Sequence, residues 1–161
     1  MINEIIPELI PKRATKLSAG YDILSPVNMV CKAGENYFLD TGVKLTDDDL
    51  AEDVIMIEDK AYMNYSKRFV ALLLPRSSLG FKYGFKMDNT VGVIDSDYRD
   101  SIKIPFTVSK DMEIKMGDKI AQLVFIPFTV MKGEIVPSIF RKGGFGSTDI
   151  SQQNLDNYQK D

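Results

Sequence analysis

Histidine is missing from this sequence, and cysteine occurs only once, as Cys31. A single cysteine cannot form a disulfide within the chain, and a zinc site is not expected without histidine, because protein zinc sites rely on cysteine and histidine ligands. The same absences exclude Ser-His-Asp and Cys-His nucleophiles and general acid catalysis by histidine. Any chemistry must therefore use carboxylates, hydroxyls, backbone groups and an added ion.

Long hydrophobic runs are also missing. The amino-terminal segment MINEIIPELIPKR has acids and prolines among its apolar residues, which is not the pattern of a signal peptide, and no later run reaches spanning length. We therefore expect a cytoplasmic protein without a membrane partner. The formal charge of -3 argues against duplex nucleic acid as a partner. Local cations such as Arg76, Arg141 and Lys142 still suit a small anionic ligand.

Short apolar runs rich in β-branched and aromatic residues, separated by turn residues, predict the fold. They occupy residues 37–45, 69–74, 91–94, 102–108 and 120–130. No long helical pattern separates consecutive runs, so an all-β sandwich or jelly-roll-like barrel is expected rather than a βαβ sheet. The length of 161 residues suits one domain. We assign it to residues 1–149, and we expect the polar tail 150–161 to be disordered.

Residues 46–67 interrupt the β pattern and read as an insertion. Thr46 and Asp49 have the spacing of a capping box at a helix amino end. Four apolar residues then recur at helical spacing: Leu50, Val54, Ile57 and Ala61. The pattern predicts one short helix, although the run VIMIE could equally form a strand.

The segment NTVGVIDSDYR at residues 89–99 is the first candidate site. Val91, Val93 and Ile94 have the character of a buried strand. Asp95 and Asp97 follow at once, and carboxylates are rarely buried unless they are paired or functional. A polar turn that merely closes a strand is the alternative for this segment taken alone.

Four further segments carry candidate residues, each with a plain structural alternative. In LLLPRSSLG, Arg76, Ser77 and Ser78 offer a guanidinium and two hydroxyls suited to phosphate, or form a solvated turn. In RKGGFGSTD, residues 141–149, Phe145 offers a stacking face within a glycine-rich stretch that could also be a linker. Asp22 in AGYDI is a site acid or a turn acid. Gln122 in GDKIAQLVF is a site residue or a satisfied core amide.

Taken in order, AGYDI, PRSSLG, NTVGVIDSDYR, GDKIAQL and GGFGST resemble the five motifs of the trimeric dUTPase family. DTGVKL at residues 40–45 is similar to the strand that follows the first motif, and the match extends over residues 14–149. The resemblance implies a jelly-roll-like subunit in a homotrimer whose active sites combine different chains. It also implies hydrolysis of dUTP to dUMP and pyrophosphate with Mg²⁺.

The third motif would then recognise the nucleoside and perform the chemistry. The resemblance implies that Asp95 activates the attacking water, which suits a carboxylate ionised at neutral pH. Tyr98 would pack under the deoxyribose and leave no space for a 2′-hydroxyl. A hairpin formed by Asn89 and the backbone of Val93 and Ile94 would read the uracil edge, and one further residue would fall near that pocket: Lys103.

The other motifs would hold the triphosphate and close the site. The resemblance implies phosphate contacts from Arg76, Ser77, Ser78 and Gln122, with Arg141 as a further candidate. Asp22 would reach the metal only through water. Phe145 and Gly146 would belong to a mobile arm that stacks over the base. The triphosphate itself would supply most Mg²⁺ ligands.

Three departures from the family pattern stand out. The family run Tyr-Arg-Gly-Glu is Tyr98-Arg99-Asp100-Ser101 here, so a glycine is lost from a turn. Arg141 lies four positions before Phe145 instead of the usual five, a displacement of about 3.3 Å in extended chain. The insertion 46–67 is the third, and either a protein partner bound there or a plain surface loop would explain it.

Two other functions are weighed against dUTP hydrolysis. A dCTP deaminase shares the fold and the PRSS turn, but its catalytic glutamate is expected on the strand after the third motif, where this chain has IKIPFTV. The second alternative is a binding or signalling protein on the same scaffold, acting through 46–67. The presence of Asp95, Tyr98 and Phe145 argues against a retired enzyme.

Overall fold

The computed structural model describes residues 9–45, 55–57, 60–62, 69–129 and 131–133. These residues form twelve strands and one helix: β1 Lys12–Arg13, β2 Tyr21–Leu24, β3 Met29–Cys31, β4 Asn36–Asp40, β5 Ile55–Ile57, β6 Lys60–Tyr62, β7 Phe69–Pro75, α1 Ser77–Tyr83, β8 Lys86–Met87, β9 Gly92–Ile94, β10 Lys103–Thr107, β11 Met112–Ile114 and β12 Lys119–Pro127. The predicted all-β class is confirmed. In the part of the chain that is described, no helix is both long and apolar enough to cross a membrane.

The strands form four antiparallel sheets. The largest has the order β1-β2-β12-β7-β9, a second has the order β4-β10-β8, and β11-β3 and β5-β6 form pairs. The central strand β12 pairs with two strands that are far from it in sequence, β2 on one side and β7 on the other. This topology brings three sequence motifs side by side at one end of that sheet.

One hydrophobic core joins side chains from these sheets. Ile23, Leu73 and Leu123 from the largest sheet and Ile104 and Phe106 from β10 are all essentially inaccessible to solvent. The Phe106 ring stacks on the Phe85 ring with centroids 4.7 Å apart. Burial of each such side chain stabilises the fold by about 1.5–3 kcal/mol. The core therefore fixes the strand register that positions the site.

The helix predicted within residues 46–67 is wrong for the described part. β5 and β6 pair antiparallel there, with Ile55 opposite Tyr62 and Ile57 opposite Lys60. Ile55 and Ile57 favour a strand, and a two-residue connection lets the pair close locally. The alternative strand at VIMIE was the better interpretation. The capping-box residues Thr46 and Asp49 lie outside the described residues.

A helix that the sequence analysis did not predict follows β7. A solvated turn was the structural alternative for Arg76, Ser77 and Ser78, whereas Ser77–Tyr83 forms α1. Arg76 precedes it in an extended conformation, and Gly84 ends it in the left-handed region at φ 62°. A side chain at Gly84 would also collide with Ser109 Oγ, 1.8 Å from an added Cβ. Glycine is therefore required at the helix end.

Candidate active site

A cavity of about 170 Å³ lies at the end of the largest sheet, and we call it the Asp22 cavity. Its position follows from register: Asp22 on β2 lies opposite Gln122 on β12, and Gln122 lies opposite Leu74 on β7. The chain then passes from β7 into Arg76 at the same edge. Residues of three motifs meet here, and the lining consists of Ala14, Ser18, Gly20, Asp22, Arg76, Ser77 and Gln122.

Asp22 is the buried charge at the centre of this cavity, with 6% of its surface exposed. Arg76 Nη1 donates to one carboxylate oxygen, and Lys119 Nζ lies 2.7 Å from the other. Arg76 lines this cavity, whereas Lys119 contacts Asp22 from outside the lining, so two cations share one carboxylate. Such a cluster suits anionic phosphate oxygens, and guanidinium groups bind them with particular directionality.

Lys119 was missed as a site residue by the sequence analysis. It occupies the third position of GDKIAQL, three residues before Gln122, and was interpreted only as part of the motif string. The buried state of Asp22 was the missing information, because a buried carboxylate requires cationic or hydrogen-bonding partners. Gly20 was also missed. An added Cβ there would lie 2.4 Å from Gln122 Oε1, so glycine leaves the space that the Gln122 carboxamide fills.

Ser77 and Ser78 separate in the structure, although the sequence placed them together as phosphate ligands. Ser77 lines the Asp22 cavity. Ser78 instead lines a second cavity of about 190 Å³ between α1, β11 and the start of β12. Consecutive helical residues point about 100° apart, which explains the divergence. The described chain therefore supports Ser77 more directly than Ser78 as a phosphate contact.

The third motif begins with a turn at residues 88–91 that connects two sheets. β8, which precedes this turn, pairs with β10, while β9, which follows it, pairs with β7. The turn has Thr90 at φ 61°, and the Thr90 N–H donates to the Met87 carbonyl at 2.9 Å. Gly92 packs closely on β7, with an added Cβ 3.0 Å from Leu73 Cβ. The expected simple hairpin is thus a connection between sheets.

The candidate residues of this turn differ in exposure. Asn89, Val93 and Asp95 are exposed, with 61% of the Val93 surface accessible, whereas Ile94 is buried. Lys103 begins β10 and is half-buried. The turn therefore presents polar groups and backbone to an approaching ligand while Ile94 anchors it to the core.

Tyr98 is held within the chain rather than projecting from it, with only 3% of its surface exposed. Its hydroxyl donates to the Ser101 carbonyl at 2.9 Å, and its N–H donates to the Asp95 carbonyl at 3.0 Å. The ring thus occupies a fixed position directly beside the residue proposed for catalysis. A ring fixed in this way can form one rigid wall of a sugar pocket.

The two groups of site residues lie at opposite ends of β7. Ile94 pairs with Ala71 near the start of that strand, so Asp95 emerges at its beginning. Arg76 follows Pro75 at its other end. Arg76 lies five positions after Ala71 in extended chain, a distance of about 17 Å. A single chain therefore does not bring Asp95 to the Asp22 cavity.

The candidates from the fifth motif, Arg141, Phe145 and Gly146, lie outside the described residues. Within the described part, no group of three or more acidic or cysteine side chains is arranged to hold a metal ion.

Comparison with known proteins agrees with this architecture. The family model for dUTPase matches residues 50–149. A deoxyuridine 5'-triphosphate nucleotidohydrolase of Neisseria meningitidis is 33% identical over 158 residues, covering 93% of this chain and 94% of that protein. The dUTPase of Streptococcus mutans superposes with a TM-score of 0.62 at 28% identity, covering 83% of this chain and 96% of the other.

A dUTPase from phage phi11 of S. aureus, for which coordination of a structural Mg(II) ion was described, has a TM-score of 0.59 and 22% identity. The superposition covers 79% of this chain and 88% of the phage protein. At 22% identity the likeness is evidence for the fold alone. The family model spans more than half of the chain, and the Neisseria relative spans nearly all of it. The chain belongs to the dUTPase family.

Proposed function

We propose that this chain hydrolyses dUTP to dUMP and pyrophosphate, with Asp95 activating the water that attacks the α-phosphorus and Mg²⁺ as cofactor. Family membership supports the reaction class, because the chain is a dUTPase and thus a dUTP nucleotidohydrolase. The observation that carries the proposal is the Asp22 cavity, where strand register joins three motifs around Asp22 and the Arg76 guanidinium. A cytoplasmic location stays a prediction.

Asp95 suits the role of general base by its position. It directly follows β9, is exposed, and lies next to the rigidly held Tyr98. A carboxylate there can take a proton from a water molecule as the water attacks phosphorus. β9 fixes the backbone that leads into Asp95, and solvent reaches the Asp95 side chain. This combination supports the catalytic role.

Mg²⁺ fits this chain as an ion held mainly by the nucleotide. Both oxygens of Asp22 already contact cations, so this carboxylate would contribute only through water, as the resemblance implies. Magnesium keeps several waters and binds substrate phosphates, whose developing charge it neutralises. Arg76, Ser77 and Gln122 would orient the triphosphate beside it.

A homotrimer with shared sites is the assembly that this geometry supports best. Asp95 and the Asp22 cavity are separated along β7 within one chain. Placing the base of one subunit at the phosphate cavity of another would complete the site. Closed symmetric assemblies of identical subunits are common, and three equivalent contacts would give three sites.

Nucleoside recognition is assigned to the turn at residues 88–91 and to β9. Asn89 is exposed there, and by resemblance it would read the uracil edge together with the backbone of Val93 and Ile94, with Lys103 near that pocket. Tyr98 would exclude a 2′-hydroxyl. By resemblance, Phe145 and Gly146 would close an arm over the base and Arg141 would add a phosphate contact.

The experiment that tests the proposal is a product-release assay with dUTP, dCTP, dTTP and UTP in the presence of Mg²⁺. We expect kcat/KM for pyrophosphate release from dUTP to exceed the value for each of the other nucleotides by at least ~10²-fold. A wrong base or sugar would leave polar groups of the site without hydrogen-bond partners, which weakens binding of the transition state. Chelation of Mg²⁺ should abolish release. Formation of a deoxyuridine nucleotide from dCTP would instead support the deaminase alternative.

That alternative has little support in the structure. The strand after the third motif, β10, reads KIPFT and contains no glutamate that could act as the deaminase acid or base. A protein partner bound through residues 46–67 stays a separate prediction. Their described part is the β5-β6 pair.

Gly20→Ala tests the phosphate cavity with a minimal change. An added Cβ would displace Gln122 Oε1 and press on Gln122 Cβ and Cδ, both 3.2 Å away. Loss of one hydrogen bond of about 0.5–1.5 kcal/mol predicts a KM for dUTP raised about 2- to 10-fold. The unfolding temperature should change little, because Gln122 can move. Gly80→Ala is the matched control, since its nearest atom is 3.8 Å away. Equal KM values for the two variants would contradict the cavity assignment.

A further inference from the structure

The loop from Asp95 to Ser101 carries the departure from the family run Tyr-Arg-Gly-Glu. Asp100 stands where the family has glycine, yet among the described residues Thr90 alone has a positive φ outside glycine. Asp100 therefore does not adopt the left-handed conformation that would favour glycine. The loop is ordered by other contacts. Arg99 Nη1 donates to the Ser96 and Tyr98 carbonyls, and the Ser101 hydroxyl reaches Asp40 at the end of β4.

Asp40 holds the loop through Ser101. The Ser101 hydroxyl donates to Asp40 Oδ1, and the Gly42 N–H donates to the same oxygen at 3.0 Å. The Ser101 carbonyl in turn accepts the Tyr98 hydroxyl at 2.9 Å. A continuous chain of hydrogen bonds thus runs from Asp40 to the Tyr98 ring. Ser101 takes part with both its side chain and its backbone.

The backbone next to Ser101 is held in place by further hydrogen bonds. Ile102 is fully buried, its carbonyl accepts both the Thr41 N–H at 3.0 Å and the Thr41 hydroxyl at 2.7 Å, and its N–H donates to Val43 at 2.8 Å. These bonds fasten the residue after Ser101 to the segment after β4. The hydrogen bond from Ser101 to Asp40 lies at the exposed end of this set of contacts, and it is the one closest in sequence to Tyr98.

We propose that Asp40 is a positioning residue that acts through Ser101 to fix Tyr98, and that it thereby sets the preference for deoxyribose over ribose. The inference rests on the proposed role of Tyr98. A buried ring can exclude a 2′-hydroxyl only if it cannot recede, and its hydroxyl is held by the one carbonyl that Asp40 steadies. Small displacements at such sites have large effects on reacting geometry.

The test compares Asp40→Ala, Ser101→Ala and Asp40→Asn, with Tyr98→Ala as the reference for loss of the ring, and measures kcat/KM for dUTP and UTP. We expect the dUTP:UTP ratio to fall about 3- to 10-fold in both alanine variants, the effect of losing one hydrogen bond between exposed groups. The double variant should fall no further than either single one, since they break the same bond. Asp40→Asn keeps an acceptor oxygen and should stay within about 2-fold of wild type.

Hydrogen exchange provides a readout that is independent of activity. Amide exchange in residues 96–101 should accelerate at least about 5-fold in the alanine variants and not in Asp40→Asn, because loss of the anchor permits local opening. Asp111→Ala is the matched control. Asp111 likewise accepts from a side chain, Lys32, and from a backbone N–H, Ala33, far from the loop. It should leave both the ratio and this exchange unchanged.

The outcomes separate this inference from the proposed reaction. An unchanged dUTP:UTP ratio in Asp40→Ala and Ser101→Ala, with a changed ratio in Tyr98→Ala, would overturn the role of Asp40 alone. An unchanged ratio in Tyr98→Ala would overturn the sugar role of the tyrosine and this inference together. In both cases, release of pyrophosphate from dUTP in preference to dCTP and dTTP would leave the hydrolase assignment standing. If Asp40→Asn lowered the dUTP:UTP ratio as much as Asp40→Ala, the hydrogen bond accepted by residue 40 would be excluded as the cause.

Discussion

Replacement of Asp95 by asparagine is expected to lower turnover of dUTP by at least ~10²-fold and up to ~10⁴-fold, the usual effect of removing a general base. The amide keeps the size and most of the hydrogen-bonding shape of the carboxylate but cannot accept the proton from water. Because Asp95 is exposed and follows β9 instead of packing in the core, the fold should be preserved. Single-turnover rates and nucleotide affinity, measured on the same preparation, separate lost chemistry from lost binding.

Asp111→Asn is the matched control for this variant. Asp111 is an exposed acid outside the proposed site, and its carboxylate accepts from the Lys32 side chain and the Ala33 N–H. The same chemical change there should leave turnover within a few-fold of wild type. Hydrolysis at close to the wild-type rate in Asp95→Asn would remove Asp95 as the base, and a weakened affinity with normal single turnover would reassign it to binding.

The strands were predictable because their patterns have local causes. Alternation along β10 buries Ile104 and Phe106 and leaves Lys103 and Thr107 half-buried, so the sequence pattern carries the same information as the structure. Residues 55–62 were harder to interpret. Apolar residues there fit a helical spacing and a short strand pair equally well, and only pairing across a two-residue connection decides between them.

The candidate site was predictable as a set of residues but not as an arrangement. Motif order named Asp22, Arg76 and Gln122 together, and register on β12 indeed brings them to one cavity. The order of the motifs along the sequence did not indicate that Asp95 would lie at the other end of β7. That position depends on how β9 pairs with β7, which is set when the sheet forms. The same holds for Lys119, whose contact with Asp22 depends on a burial that one sequence does not reveal.

Activity recovered by mixing two inactive variants would show that one site draws residues from two chains. Asp95→Asn lacks the base, and Arg76→Ala lacks the guanidinium at the opposite end of β7. Lys119 still pairs with Asp22 in the second variant, so its buried carboxylate keeps a partner. Each variant alone should be nearly inactive. Unfolding the two together in equal amounts and refolding them should yield mixed trimers.

A shared site needs an intact Asp95 from one subunit and an intact Arg76 from another. Each is supplied with a chance of about one half, so roughly a quarter of the sites should recover in closed trimers of random composition. If one chain supplied both residues, every site would contain one defect and activity would stay at the level of the parents. Native mass measurement identifies the mixed trimers, and separately refolded parents provide the baseline. Confirmed mixed trimers without recovered activity would refute the shared site, whereas recovery near one quarter is the result that the separation along β7 leads us to expect.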